Sequence, residues 1–409
     1  MNRREFLRNG LLAAVAIRFP KLFAGGAEES GIPQYERDLF NEVMAKYEAL
    51  NPVDPATGRR KFISLGALSD LHACKRTAGD DDPANPDKGY WYYFGAVLTD
   101  SEPSIRLLGA LAEKAGFDAI VHAGDFSTAN SLKPFQPGDY RAVIRGVKAR
   151  LDRYAPHTPF FTVDGNHDRD YWNNKTNSGN RMNEAEWAAV LEEVNTDVSG
   201  NPDVVLTRHR DLARPTLGAG ERGEYTGNSY TLDFRRLVKT GGPNLRLVVV
   251  SLYDKCPGSA VELRAADGFR FDGRAGSDVT PANTVVGFLS HDMMKSLAPS
   301  VREYLDRNAG SRFFGGIAGH LHYPFVVPYQ SGDCKLASSI HGVTNCYCTY
   351  GTRSRESYRF SIFVFDTEKG KVHEIRLAGG DKPDPKHPER ELRPNRPALG
   401  SSAFDCAHN

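Results

Sequence analysis

The chain has 409 residues, of which 40% are hydrophobic and 25% are charged. These proportions are typical of a soluble globular protein with one large domain or two ordinary ones, and a chain of this length can build a core without disulfide or metal staples. The net charge is only +1 and no long basic run occurs, so charge patterning does not indicate a nucleic-acid partner.

Residues 1–27 have the pattern of a secretory signal: a charged start, a short apolar run at 11–17 and small residues before the expected cleavage point. The sequence Arg-Arg-Glu-Phe-Leu at residues 3–7 resembles a twin-arginine export signal. This resemblance implies contact with the twin-arginine export machinery and a periplasmic or secreted bacterial protein, in which the six cysteines would be permitted to form disulfides. The alternative is an amphipathic helix of the mature fold. A stable membrane span is not expected, because a span needs about 20 apolar residues.

Residues 28–60 are predicted as a helical extension, with one helical pattern around Leu39, Val43, Met44 and Tyr47. From residue 61 onward, buried strands alternate with amphipathic helices. The predicted strands are 61–69, 118–123 and 159–163, and the predicted helices are 103–115, 139–154 and 183–194. This alternation predicts an α/β architecture with parallel strand pairing in the first half of the chain.

The second half is richer in predicted strands. They are 228–234, 245–252, 284–290, 312–318, 325–328, 336–340, 358–365 and 371–377. The main domain is therefore predicted over 61–378. Residues 379–409 contain several prolines and many charges, and they are predicted to form an extended C-terminal tail.

Polar, metal-ligating residue types follow five of the predicted strands. The segments are Asp70-Leu71-His72, Gly124-Asp125, Gly165-Asn166-His167-Asp168, Ser290-His291 and Gly319-His320-Leu321-His322. Ligands of open α/β sheets bind beyond the carboxyl ends of the strands, and residues two apart at a strand end point the same way. Carboxylate, imidazole and amide groups suit zinc, manganese or iron. Each segment alone is also compatible with a turn or an ordinary buried histidine. Taken alone, Gly124-Asp125 favours a turn, and a structural role stays an alternative for His291.

The order of these segments resembles the calcineurin-like metallophosphoesterase superfamily over residues 61–322. The resemblance implies a four-layer αββα sandwich of two mixed sheets, with two divalent or trivalent transition-metal ions (Mn, Fe or Zn) at the strand carboxyl ends. It assigns Asp70, His72 and His322 to the first ion, Asn166, His291 and His320 to the second, and Asp125 as the bridge between them. His167 and Asp168 are the candidate catalytic residues, with His167 acting on the leaving group.

The expected reaction is hydrolysis of a small phosphorylated substrate, as a phosphomonoesterase or a phosphodiesterase. Two ions about 3.5–4 Å apart clamp a phosphoryl group, and a metal-bridging hydroxide is the nucleophile. His167 would protonate the departing oxygen or stabilise its charge as an imidazolium. Tyr171, Trp172 and Tyr323 are candidate substrate contacts, since aromatic rings near a phosphate site can stack a base or an aryl group; ordinary packing is the alternative.

One residue of the chain differs from the pattern of two subclasses of this superfamily. Thr128 occupies the position where protein phosphatases have an orienting aspartate and purple acid phosphatases have a tyrosine ligand, so neither subclass is expected. Two other functions stay open. One is a nuclease of the same superfamily, which the near-neutral charge disfavours. The other is an exported metal-binding protein of the same fold that has lost turnover.

Overall fold

The computed structural model describes residues 34–71, 73, 101–127, 137–168, 182–208, 228–251, 283–291, 312–319, 327–328, 339–342, 360–378, 398–405 and 407–408. The predicted export signal and all six cysteines lie outside these residues. The chain divides into two compact units, Met1–Ala49 and Leu50–Asn409. None of the described helices combines the length and the apolar character needed to cross a bilayer.

Helix α1 spans Gln34–Leu50 and confirms the predicted helical pattern. Its buried apolar side chains include Leu39, Val43 and Tyr47, which recur at the spacing of one helical face. The boundary between the two units falls at residue 49, whereas the extension was predicted to reach residue 60. Residues 51–60 belong to the second unit and include an antiparallel bridge between Val53 and Arg60.

The first sheet of the second unit has six strands in the order β13-β12-β11-β1-β2-β3. Their bounds are β1 Ile63–Leu68, β2 Ala119–His122, β3 Phe160–Thr162, β11 Phe360–Asp366, β12 Lys371–Ala378 and β13 Ala398–Asp405. Strands β1, β2 and β3 pair in parallel, and the other neighbours pair antiparallel. The parallel pairing predicted for the first half is therefore confirmed.

Three helices alternate with and follow these parallel strands, as predicted. They are α2 Glu102–Ala115, α3 Pro137–Tyr154 and α4 Glu184–Val194. Helix α2 buries Ile105, Leu108 and Leu111, which repeat at helical spacing. Helix α4 starts at a capping box, in which the Asn183 side chain accepts from the main chain of Glu186 while the Glu186 carboxylate accepts from the main chain of Asn183.

The second sheet has eight strands. Seven follow the order β4-β5-β6-β7-β8-β10-β9, and β14 pairs with β8. The bounds are β4 Val204–Arg208, β5 Tyr230–Phe234, β6 Asn244–Val249, β7 Thr284–Ser290, β8 Arg312–Ala318, β9 Val327–Pro328, β10 Ser339–Gly342 and β14 Ala407–His408. The pairs β6–β7, β7–β8 and β8–β10 are parallel, so this sheet is mixed as well. Strands β4, β13 and β14 were not predicted, and the last two lie within the range expected to form an extended tail.

Hydrogen bonds join the two sheets at both ends of the strands. Arg236, which follows β5, forms an ion pair with Asp118, which precedes β2, at 2.7 Å. At the opposite end, the Tyr230 hydroxyl donates to the Thr162 carbonyl over 2.6 Å. The predicted α/β sandwich of two mixed sheets is confirmed.

Candidate metal centre

Five strands deliver their carboxyl ends to one edge of the sandwich. The Asp70 main-chain nitrogen donates to Gly124 over 2.9 Å, which joins the segments after β1 and β2. The Gly319 nitrogen donates to His291 over 3.1 Å, which joins the segments after β8 and β7. Segments that carry predicted ligands, from distant parts of the chain, therefore lie at this edge.

Asp70 and Asp125 both have left-handed backbone conformations, with φ of 52° and 57°. They are the non-glycine residues with positive φ within the described part of the chain. This conformation is uncommon for side chains other than Asn and Asp, and it clusters at functional sites, where the surrounding structure enforces it. The chain thus turns sharply at the end of each strand and leaves a carboxylate at the edge of the sheet.

Asp70, Asp125 and His291 form a buried cluster whose ligand atoms all lie within 4.8 Å of one another. The Nε2 atom of His291 is 3.1 Å from Asp125 Oδ2 and 2.8 Å from Asn166 Oδ1. Two carboxylates withdrawn from water repel each other unless positive charge lies between them. Carboxylate, imidazole and amide donors converging on one point fit a transition-metal ion, which would supply that charge.

The ring of His291 is oriented by a main-chain contact. Its Nδ1 atom lies 2.8 Å from the Ala123 carbonyl oxygen. Because a carbonyl only accepts, Nδ1 carries a proton and Nε2 faces the cluster, the arrangement usual for ligand histidines. Burial lowers the pKa of His291, but the charge and hydrogen bond of Asp125 and the charge of Asp70 outweigh it and raise the pKa to about 10. In the metal-free protein the ring is therefore an imidazolium that balances the two carboxylates.

His167 is the accessible member of the site. Its main-chain nitrogen donates to Asp125 Oδ1 over 2.8 Å, and its side-chain Nε2 is 4.0 Å from Asp125 Oδ2. The His167 side chain is 22% exposed, whereas the Asp125 side chain is fully buried. Of these two side chains, only His167 can be reached from solvent.

Asp168 binds the two loops that carry the site. Its Oδ1 accepts from the main chain and the hydroxyl of Ser127, at 3.1 and 3.0 Å. Its Oδ2 accepts from the main chains of Phe126 and Gly165, at 3.2 and 3.0 Å. Burial and the charge of Asp125 raise the pKa of Asp168 to about 7, against the lowering effect of the main-chain donors. The described contacts of Asp168 thus join the segments after β2 and β3.

Two glycines of the motifs are required by close packing, a role that no local sequence pattern indicated. A Cβ atom on Gly165 would lie 2.0 Å from Asp125 Oδ1. A Cβ atom on Gly319 would lie 2.0 Å from Ser69 Oγ and 2.6 Å from Asp70 Oδ2. Ser69 was also missed: its hydroxyl donates to Asp70 Oδ2 over 2.5 Å. Its place directly before Asp70 was the only sign of this role in the sequence.

Several predicted site residues lie outside the described residues. They are the predicted ligands His72, His320 and His322 and the predicted substrate contacts Tyr171, Trp172 and Tyr323. Thr128 also lies outside the described residues. Their neighbours are placed at the site: Gly319 lies against Asp70, and the Ala73 main chain donates to Phe126 over 2.9 Å. The assignment of His72, His320 and His322 stays a prediction.

Comparison with known proteins gives a family match for part of the chain. Residues 63–243 match the family model described as calcineurin-like phosphoesterase, a segment that contains Asp70, Asp125, Asn166 and His167 but ends before His291. A crystal structure of a dimetal phosphatase from Danio rerio is similar over 77% of this chain and 96% of that chain, with 12% identity and a TM-score of 0.43. A search of curated proteins finds no match. The family match and the buried cluster together support a metal-dependent phosphoester hydrolase.

Proposed function

We propose that this chain is a two-metal hydrolase of small phosphate esters, either monoesters or diesters. The observation that carries the proposal is the buried cluster of Asp70, Asp125 and His291, with Asn166 within hydrogen-bond distance of His291. Two buried carboxylates at such short range favour a bound cation, and a family model for phosphoesterases matches the segment that supplies both of them.

The proposed ligands fall into two sets that share one residue. Asp70, His72 and His322 would hold one ion, Asn166, His291 and His320 the other, and Asp125 both. When bound, Mn, Fe or Zn ions would supply a water of lowered pKa as nucleophile and positive charge for the phosphoryl oxygens.

The Asp125 carboxylate is already oriented in the metal-free protein. Its Oδ1 accepts from the His167 main chain and its Oδ2 lies toward His291, so both oxygens are already directed. Asp168 acts as a positioning residue in this proposal, because its carboxylate accepts hydrogen bonds from the main chains of both Ser127 and Gly165, which lie in the two segments next to Asp125. Loss of such outer contacts typically costs about 10–100-fold in metal affinity or activity.

His167 is proposed to assist the leaving group rather than to bind metal. Its partly exposed side chain lies beside Asp125, where its imidazolium form would donate a proton to the departing ester oxygen. Tyr171, Trp172 and Tyr323 are proposed to contact the organic part of the substrate. Export by a twin-arginine route, from the residues at 3–7, is part of the same proposal.

The experiment compares His167→Ala with Asn166→Ala on an activated aryl phosphate and an alkyl phosphate, with metal content measured on the same samples. His167→Ala should keep its metal and lose about 10²–10⁴-fold in turnover of the alkyl ester, with a smaller loss for the aryl ester, which needs little protonation. Asn166→Ala should lose metal and slow both esters alike.

Two outcomes would contradict the proposal. Unmodified protein that takes up neither Mn²⁺ nor Zn²⁺ would remove the two-metal site. Metal uptake without hydrolysis of either ester would instead favour the metal-binding alternative. Equal slowing of both esters by His167→Ala, with metal retained, would refute only the role of His167.

A further inference from the structure

His122, the last residue of β2, is fully buried three residues before Asp125. Its Nδ1 atom accepts a hydrogen bond from the Gly124 main-chain nitrogen over 3.1 Å. Its ring stacks on the ring of Phe126, with centroids 3.6 Å apart and planes inclined by 16°. One side chain therefore contacts the residues immediately before and immediately after Asp125.

The turn between these two contacts is conformationally demanding. Gly124 has φ of 87° and Asp125 has φ of 57°, so two consecutive residues are left-handed. An aspartate in this region is held there by its surroundings. The His122 side chain restrains this turn on both sides of Asp125, through its hydrogen bond with Gly124 and its ring contact with Phe126.

The backbone of His122 is itself fixed within the sheet. Its carbonyl accepts from the Thr162 hydroxyl over 3.1 Å and from the Val163 main chain over 3.2 Å. The ring therefore projects from an anchored position toward the adjacent turn. Since Nδ1 accepts from Gly124, the ring proton is on Nε2, and the interaction requires the neutral form of this tautomer.

We propose that His122 is a positioning residue for Asp125, acting through the main chain of Gly124. This inference rests on the proposed function, because it matters only if Asp125 binds metal. Phenylalanine would keep the stacked ring but leave the Gly124 N–H without its acceptor. Asparagine would keep an acceptor close to the position of Nδ1 but lose the ring. Histidine combines both contacts.

The two substitutions separate positioning from simple core filling. H122F retains the buried ring, so its loss of stability should be limited to that of the unpaired Gly124 N–H, while its affinity for Mn²⁺ should fall about tenfold or more, as for lost outer contacts of a ligand. H122N should unfold at a lower temperature because it loses the ring contact, yet it should lose less Mn²⁺ affinity than H122F. A residue that only fills the core would give the reverse order, with affinity following stability.

The measurements are Mn²⁺ titration of metal-free protein and thermal unfolding of the same samples. Should H122N not fold, F126L removes the same stacking contact from the other side and takes its place in the comparison. H122F with unchanged affinity, or variants whose affinities simply follow their unfolding temperatures, would overturn the role of His122. Failure of the unmodified protein to bind Mn²⁺ or Zn²⁺ would instead overturn the two-metal proposal, and D125N, which should abolish binding at the shared ligand, distinguishes the two failures.

Discussion

Arg236 provides a quantitative test of how the two sheets are held together. Its guanidinium binds both oxygens of Asp118, through Nε at 2.7 Å and through a terminal nitrogen at 3.2 Å. It also donates to the carbonyls of Arg60 and Phe62, at 2.6 and 2.8 Å. The side chains of Arg236 and Asp118 are each 7% exposed. This contact between the sheets matters for function because the metal ligands come from both sheets. Asp70 and Asp125 follow strands of the first sheet, whereas His291 follows a strand of the second.

Arg236→Leu would leave the Asp118 carboxylate buried with a single described donor, the Ser64 main chain at 2.9 Å. Removing one partner of a buried ion pair costs about 3–5 kcal/mol, because the remaining charge is uncompensated. A matched control is Lys61→Gln, which removes the pair between Lys61 and Glu368, whose side chains are 40% and 59% exposed. Pairs exposed to this extent contribute about 0–1 kcal/mol.

Urea unfolding of metal-free protein, followed by circular dichroism, measures both effects. The double variant Asp118→Asn with Arg236→Leu should recover part of the lost stability, because the amide keeps an acceptor for Ser64 without a buried charge. Two results would refute the reasoning: a cost for Arg236→Leu as small as that for Lys61→Gln, or a double variant no more stable than the single one.

Three further results are expected. Because its pKa is raised from 6.5 to about 10, His291 stabilises the metal-free protein below about pH 6.5 and loses this contribution as the pH rises through about 10. The free energy of unfolding should therefore fall more steeply from pH 7 to 10 in the unmodified protein than in His291→Asn, and parallel curves would contradict the assignment. Gly165→Ala places a Cβ atom 2.0 Å from an oxygen of the shared aspartate and should weaken Mn²⁺ binding by about tenfold or more, whereas Gly200→Ala, which meets nothing within 4 Å, should not; equal affinities would exclude the packing argument. Exchange of Arg3 and Arg4 for lysine should retain the protein in the cytoplasm, and undiminished periplasmic recovery on cell fractionation would rule out the twin-arginine route.

Most of the strands could be predicted from the sequence because their signal is local. Strand β7, Thr284–Ser290, and strand β8, Arg312–Ala318, have the predicted bounds. Continuous apolar or small residues mark strands that are buried on both faces, and polar residues or glycine mark their ends. The predicted bounds of helices α2, α3 and α4 lie within two residues of the observed bounds. The reason is the same, since apolar spacing and caps are properties of short segments.

The strands that were missed depend on distant partners. Strand β13 is built from Ala-Leu-Gly-Ser-Ser-Ala-Phe-Asp, a composition with little β propensity, and it forms because all eight of its residues pair with β12. Strand β4 is only partly buried along most of its length, so its alternation is weak. In both cases pairing across the sheet outweighs the preference of the segment itself.

The sequence by itself determined which donor types stand at the strand ends and in what order, because strand ends and ligand residues can be recognised within a few neighbouring positions. Only the tertiary structure brought His291 to within 3.1 Å of Asp125, across 166 positions of the chain and from the other sheet. It also decided the left-handed turns at Asp70 and Asp125, the close packing that excludes a side chain at Gly165, and the contact of His122 with Gly124. These features depend on the register and spacing of two packed sheets, a property of long-range contacts that no local pattern of residues encodes.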